Sequence, residues 1–288
     1  MRLQPPATLL AGPAGSGKTS AIATMVAAGV ETFVTVTEPD GAASLIDACD
    51  RLKADIDLLH WRECFPRSEG WNDIEDMVSK VSSMDQKQLS DMKDMGKAAF
   101  RDPALHFLRS FQNFRCDRTG LEYGDCSQWD ASRCLAVDSL TGLSLIAWGA
   151  TVGYKPTANP GEWGIAQNFV FNILRKVLSD RNSYFIMTSH LEKEIDEMTG
   201  TRRATVSTIG AKLGPKIPPF FSEFVLCSKR PDGTFNWSTL DTQVDLKNRA
   251  LPVSATLRPD FAQIVSAYQR RLKVASQAVP TPPPGKAV

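Results

Sequence analysis

Three observations in this chain of 288 residues predict an α/β fold on a mainly parallel sheet. Short apolar segments recur along it, helix-period patterns separate several of them, and a glycine-rich loop follows the first. The predicted strands are Ala7–Ala11, Thr32–Thr37, Asp57–Trp61, Arg133–Asp138 and Ser183–Ser189. The clearest helical face runs through Trp163, Ala166, Phe169, Val170, Ile173, Leu174, Val177 and Leu178. Strand and helix in alternation place helices over the sheet.

Between the third and fourth strands the pattern changes. Residues 66–130 carry one helical stripe through Trp71, Ile74, Met77, Val78, Val81 and Met84, and a second through Leu105, Leu108, Phe111 and Phe114. Mixed-charge residues from Gln86 to Arg101 separate them, and a loop at Thr119 to Asp125 follows. This reads as a helical insertion at the sheet edge whose apolar stripes serve packing. After the fifth strand, Phe221–Ser228 and Phe235–Leu240 flank Arg230-Pro231-Asp232-Gly233, the signature of a C-terminal β-hairpin. A last amphipathic helix uses Phe261, Ile264, Val265, Tyr268 and Leu272. The expectation is one domain over residues 1–277, then a Pro-rich disordered tail over 278–288.

Composition narrows the function. With 33 Lys and Arg against 32 Asp and Glu, the chain is no polybasic nucleic-acid tail, so such contacts must come from a local basic surface. No run of about 18 apolar residues predicts a membrane span, and the first ten residues lack a signal-peptide core. The expected location is cytoplasmic. Six cysteines lack zinc-site spacing and read as thiols.

The strongest signal is Gly12-Pro13-Ala14-Gly15-Ser16-Gly17-Lys18-Thr19, a full match to G-x-x-x-x-G-K-[ST]. It sits between a predicted strand and a predicted helix, the context in which this pattern cradles phosphates. Glycines let the backbone curl with its amides inward, Lys18 reaches the β- and γ-phosphates, and the Thr19 hydroxyl holds Mg²⁺. Ser20, next in the opening helix, extends the nucleotide-contacting set. A second metal-holding group is expected at the end of a nearby strand, and Cys134-Leu135-Ala136-Val137-Asp138 supplies it in Asp138.

Hydrolysis also needs a group that orients or deprotonates water. Glu38 follows the second strand, and strand ends in a parallel sheet share one crevice, so Glu38 is the candidate base, with Asp40 the weaker one. The fifth strand ends in Thr188-Ser189-His190. His190 is the candidate γ-phosphate sensor, with Ser189 and Thr188 as alternatives.

The phosphate loop, Glu38, Val137-Asp138-Ser139 and Ser189-His190 together resemble the RecA-like P-loop ATPase core. More closely, the chain is similar to phage-encoded RecA-like proteins associated with recombination and single-strand annealing. Carrying that likeness are Thr37-Glu38-Pro39-Asp40-Gly41, Thr199-Gly200-Thr201-Arg202-Arg203 to Gly214-Pro215-Lys216-Ile217-Pro218, and Val244-Asp245-Leu246-Lys247-Asn248-Arg249. The likeness covers about residues 5–65 and 130–260; the segment 66–130 lies outside the minimal core.

What this resemblance implies is an ATPase using ATP and Mg²⁺ that acts on single-stranded DNA in phage recombination, annealing or replication, in the host cytoplasm. It also implies a homo-oligomer, ring or filament, with a phage replication or single-strand-binding protein as a further partner. In that family two loops line a DNA channel. By position they correspond to 149–164, with Tyr154, Lys155 and Trp163, and to 192–213. The second begins acidic (Glu192, Glu194, Asp196, Glu197) and ends basic, with Arg202, Arg203 and Lys212, then Lys216. Basic and aromatic groups together suit sequence-independent single-strand binding. Lys212 and Lys216 also suit contact with a neighbouring subunit's γ-phosphate. Two other readings share the ATP site: a nucleotide-gated assembly protein with little turnover, and a DNA-translocating motor subunit.

Overall fold

The computed structural model describes residues 3–65, 70–91, 97–153, 155, 158–195, 202–210 and 212–277. The tail from residue 278 therefore lies outside the described residues. The strands are β1 (Ala7–Ala11), β2 (Glu31–Val36), β3 (Leu59–Glu63), β4 (Arg133–Asp138), β5 (Tyr184–Ser189), β6 (Leu191–Ile195), β7 (Arg202–Val206), β8 (Glu223–Lys229) and β9 (Phe235–Ser238). The helices are α1 (Lys18–Ala27), α2 (Gly41–Leu52), α3 (Trp71–Ser82), α4 (Gln86–Asp91), α5 (Lys97–Gln112), α6 (Leu140–Val152), α7 (Pro160–Asp180) and α8 (Ala262–Gln277). None of the described helices is long and apolar enough to cross a membrane.

Seven strands form one sheet in the order β3-β2-β4-β5-β1-β8-β9, parallel throughout except that β9 returns antiparallel to β8. The predicted mainly parallel α/β sheet is thus what the chain forms, and the predicted hairpin is its far edge. Strand alternation sends successive side chains to opposite faces. Phe33, Leu135, Phe185 and Met187 meet α5, α6 and α7 on one face; Val34, Ala136, Ile186 and Val225 meet α1, α2 and α8 on the other.

Two of the differences from the sequence expectation concern the third strand and the segment that leads from it to β4. The third strand begins at Leu59, later than expected, because Asp55 accepts from the Asp57 amide and winds Ile56–Leu58 into a short 3-10 turn. The second half of the 66–130 segment is no appendage to the edge. Phe107 and Phe114 are fully buried among Phe33, Leu135 and Leu143. The chain must cross β2 to pass from β3 to β4, and α5 makes that crossover over the sheet face. The first stripe behaves otherwise: Trp71 is 81% and Val78 is 58% exposed.

All six cysteines are free and buried, as the thiol reading expects. Phe107→Ala should lower the unfolding free energy in a urea titration by about 3–5 kcal/mol, the usual result of emptying a core site. Trp71→Ala should change it by less than about 0.5 kcal/mol. Equal losses would contradict the unequal packing of Phe107 and Trp71.

Candidate phosphate-binding site

Everything polar that the sequence analysis singled out for ATP chemistry collects at one edge of the sheet. The cause is register: Ala11 pairs with Ser189, Val36 with Asp138, and Val137 with Met187, so the strands end level. The loop after β1 is anchored by the Gly12 amide, which donates to the Ser189 carbonyl at 3.2 Å. Gly17 enters α1 with φ 84°, a left-handed backbone that glycine adopts at no steric cost. A Cβ there would also lie 2.6 Å from the Phe235 ring, so both backbone and space require glycine.

No side chain caps the first turn of α1, and its orphan amides face the loop. The Ser16 hydroxyl is buried there with no hydrogen-bond partner. Lys18 bends back over the loop, its Nζ donating to the carbonyls of Gly12 and Pro13 at 2.9 Å each. Burial pulls the Lys18 pKa below the ordinary lysine range, against the opposing pull of Cys227, Asp138 and Glu38. Curled amides, an unpaired hydroxyl and a buried ammonium form a cradle for an anion.

Asp138 closes the site from β4. The Thr19 hydroxyl donates to its Oδ2 at 2.7 Å, and the Thr188 hydroxyl donates to its Oδ1. Burial raises the Asp138 pKa; the Thr188 and Thr19 bonds act the other way. The peptide from Asp138 to Ser139 is cis. A threonine hydroxyl beside a carboxylate, both at the mouth of an anion cradle, matches the few protein oxygens Mg²⁺ takes when phosphates and water supply the rest.

Glu38 stands half-exposed beside this pair and accepts from the Ser139 hydroxyl at Oε1. His190 Nε2 lies 3.9 Å from the same oxygen. The structure therefore brings Lys18, Thr19, Glu38 and Asp138 together, with His190 at Glu38's flank. Asp40 is exposed at the start of α2 with φ 61°, and Pro13, Ala14 and Gly15 are exposed on the loop. Ser20, in the first turn of α1, lies 3.5 Å from the Arg51 guanidinium. The sequence offers Thr188 only as an alternative sensor, and its bond to Asp138 has no local signal there. Phe235 over Gly17 is equally silent, since the two lie on opposite sides of the chain's length.

The residues considered for nucleic acid are spread more widely. β6 and β7 form an antiparallel ribbon with Glu194 opposite Arg203 and Ile195 opposite Arg202, so the acidic and basic halves face one another. Arg203, Lys212 and Lys216 are exposed; the side chain of Arg202 and all of Tyr154, Asp196 and Glu197 lie outside the described residues. Lys155 is not a displayed cation. Its side chain is largely buried and pairs with Glu162 at 3.3 Å. Trp163 lies against Trp148, ring centroids 4.2 Å apart, and remains exposed. The expected 149–164 loop is also shorter, because α6 runs through Val152 and α7 begins at Pro160 behind a capping box from Asn159 and Glu162.

No protein-family model and no curated protein matches the chain. Among solved structures it is similar to a prototypical ATPase from the type III secretion system of pathogenic bacteria, at 12% identity and TM-score 0.39, over 79% of this chain and 51% of that one. It is also similar to the RadB recombinase, at 12% identity and TM-score 0.35, over 85% of this chain and 90% of that one. The chain thus spans about half the length of the secretion ATPase. The likeness is distant in both cases, and the functional reading rests on the site itself.

Because burial raises the Asp138 pKa, the folded chain holds this proton to higher pH than the unfolded chain does. Stability contributed by the neutral form is present below the ordinary aspartate range and is lost as pH rises through the folded pKa. Asp138→Asn carries no charge at any pH. In metal-free buffer its urea midpoint should exceed the parent's at pH 8 and match it at pH 4. A midpoint below the parent's at pH 8 would mean the carboxylate is not a net cost to the fold.

Proposed function

We propose that the chain is a RecA-like ATPase that hydrolyses ATP with Mg²⁺ and acts on single-stranded DNA. The observation that carries the ATPase reading is the Thr19 hydroxyl on the Asp138 carboxylate, at the mouth of a loop whose lysine is already turned inward. Phosphoryl transfer asks the protein mainly for positioning and charge stabilisation, and each group here has such a task. The loop amides and Lys18 hold the phosphates; Thr19 and Asp138 would hold Mg²⁺. When bound, the ion neutralises charge developing on the β- and γ-phosphate oxygens.

Glu38 is the base in this reading. It is exposed enough to meet water and stands at the strand end beside the cradle. A cavity of about 570 Å³, lined in part by Gly17, Ser20, Thr24, Arg51 and Phe235, adjoins the loop and offers room for the rest of a nucleotide. His190 is the candidate sensor: it leaves β5 beside Glu38 and leads directly into the β6–β7 ribbon.

Single-strand binding is supported by Arg203, Lys212 and Lys216, exposed on and after that ribbon, with Arg202 adjoining in sequence. Lys155 is not part of this surface, given its pairing with Glu162. A homo-oligomer fits the same reading, with Lys212 or Lys216 offered to a neighbouring copy. Recombination or annealing in a phage, in the host cytoplasm and alongside a phage replication or single-strand-binding protein, is the setting that the resemblance of the Thr37–Gly41, 199–218 and Val244–Arg249 blocks suggests.

Lys18→Ala should abolish binding of a fluorescent ATP analogue. Glu38→Gln should bind it as the parent does while phosphate release falls about 10²–10⁴-fold, the usual range for a lost general base. Parental release in Glu38→Gln would instead favour a nucleotide-gated assembly protein. Single-stranded DNA should stimulate release, and Arg203→Ala with Lys212→Ala should weaken DNA binding and flatten its salt dependence by about 0.7 per contact. Hydrolysis indifferent to every nucleic acid would end the DNA part of the proposal, and unwinding of a forked duplex would point to a motor.

A further inference from the structure

The ends of β2 and β4 are joined by more than the sheet ladder. The Thr37 amide donates to the Asp138 carbonyl at 2.7 Å. The Ser139 amide then donates to Thr37 Oγ1 at 2.7 Å, and the same hydroxyl donates back to the Ser139 carbonyl at 3.0 Å. Finally the Ser139 hydroxyl donates to Glu38 Oε1 while accepting the Gly142 amide at 3.1 Å as the N-cap of α6. Thr37 and Ser139 are both buried, so water does not compete for these bonds.

Gly142 shows how tightly this corner is built. A Cβ at that position would lie 2.2 Å from Thr37 Oγ1 and 2.8 Å from the Thr37 carbonyl. The first turn of α6 therefore sits directly on the residue that precedes Glu38. A half-exposed glutamate on a strand end would otherwise sample several rotamers, and a displacement of about 1 Å at a reacting group can cost 10²-fold in rate.

We propose that Thr37 and Ser139 form a clasp that positions Glu38 for water activation, with α6 as its rigid backing. Neither touches the reacting atoms; both act through the glutamate. The proposal rests on the reading of Glu38 as the base and goes beyond it by naming what aims that base. Ser139 is the essential member, because its one hydroxyl orients the carboxylate and starts the helix. Thr37 holds Ser139 in turn through both of that residue's backbone groups.

The test is a double-mutant cycle in the full chain, read as steady-state phosphate release and as affinity for a fluorescent ATP analogue. Ser139→Ala should lower kcat about tenfold and leave analogue affinity within about twofold, and Ser139→Thr, which keeps the hydroxyl, should restore most of the rate. In the Glu38→Gln background the Ser139→Ala change should cost nothing further, since the group it positions is gone. An equal loss in both backgrounds, or no loss in the parent, would overturn the clasp while leaving the ATPase reading intact. If Glu38→Gln alone turns over like the parent, the base assignment fails instead, and the clasp with it. Should Ser139→Ala not fold, Thr37→Val replaces it in the same cycle: the near-isosteric change removes only the hydroxyl, and a parental kcat there would overturn the proposal.

Discussion

One buried carboxylate organises the working edge of this protein. Asp138 accepts a hydroxyl from α1 through Thr19 and another from β5 through Thr188, so three segments distant in sequence are referred to one pair of oxygens. The arrangement is costly for the fold, because burial disfavours the charged form of the carboxylate. It is tolerated because each carboxylate oxygen accepts a hydroxyl donor, which is the condition under which buried polar groups persist. Sites of this kind are where a chain departs from what stability alone would select.

Much of that edge was legible in the sequence, for a specific reason. The phosphate loop is contiguous, and its residue types answer to local backbone needs, so the pattern survives being read without a structure. Asp138 and Glu38 were readable one step further out, since a parallel sheet places every strand's C-terminal end in one crevice. The partners of these groups were not readable. Thr188 lies 50 residues from Asp138 and Ser139 lies 101 from Glu38, and no local pattern encodes a pairing of that span.

The fold shows the same division. α7 was clear because its apolar residues recur on one face and Asn159 with Glu162 marks its start. α6 left no periodic trace, because Leu140–Val152 is apolar around most of its circumference, the mark of a helix enclosed by others. α5 was legible as a helix and not as part of the core. Its stripe reads alike to that of α3, yet Phe114 at its end is fully buried with the neighbouring Phe107, which the stripe did not include, Leu105 is exposed, and Trp71 of α3 stands in solvent. Periodicity reports which face is apolar, and only the topology decides whether that face meets the sheet.

Where the reading of charges fell short, the cause is pairing. Lys155 lies in a Gly- and Pro-rich stretch, but Glu162 in the first turn of α7 serves both as the capping-box member and as the lysine's counter-ion. The β6–β7 ribbon pairs an acidic strand with a basic one, so its backbone register sets Glu194 across from Arg203. The segment of Lys212 and Lys216 leads into β8, whose first residue Glu223 pairs with Thr8 at the start of β1, the end of that strand away from the glycine-rich loop.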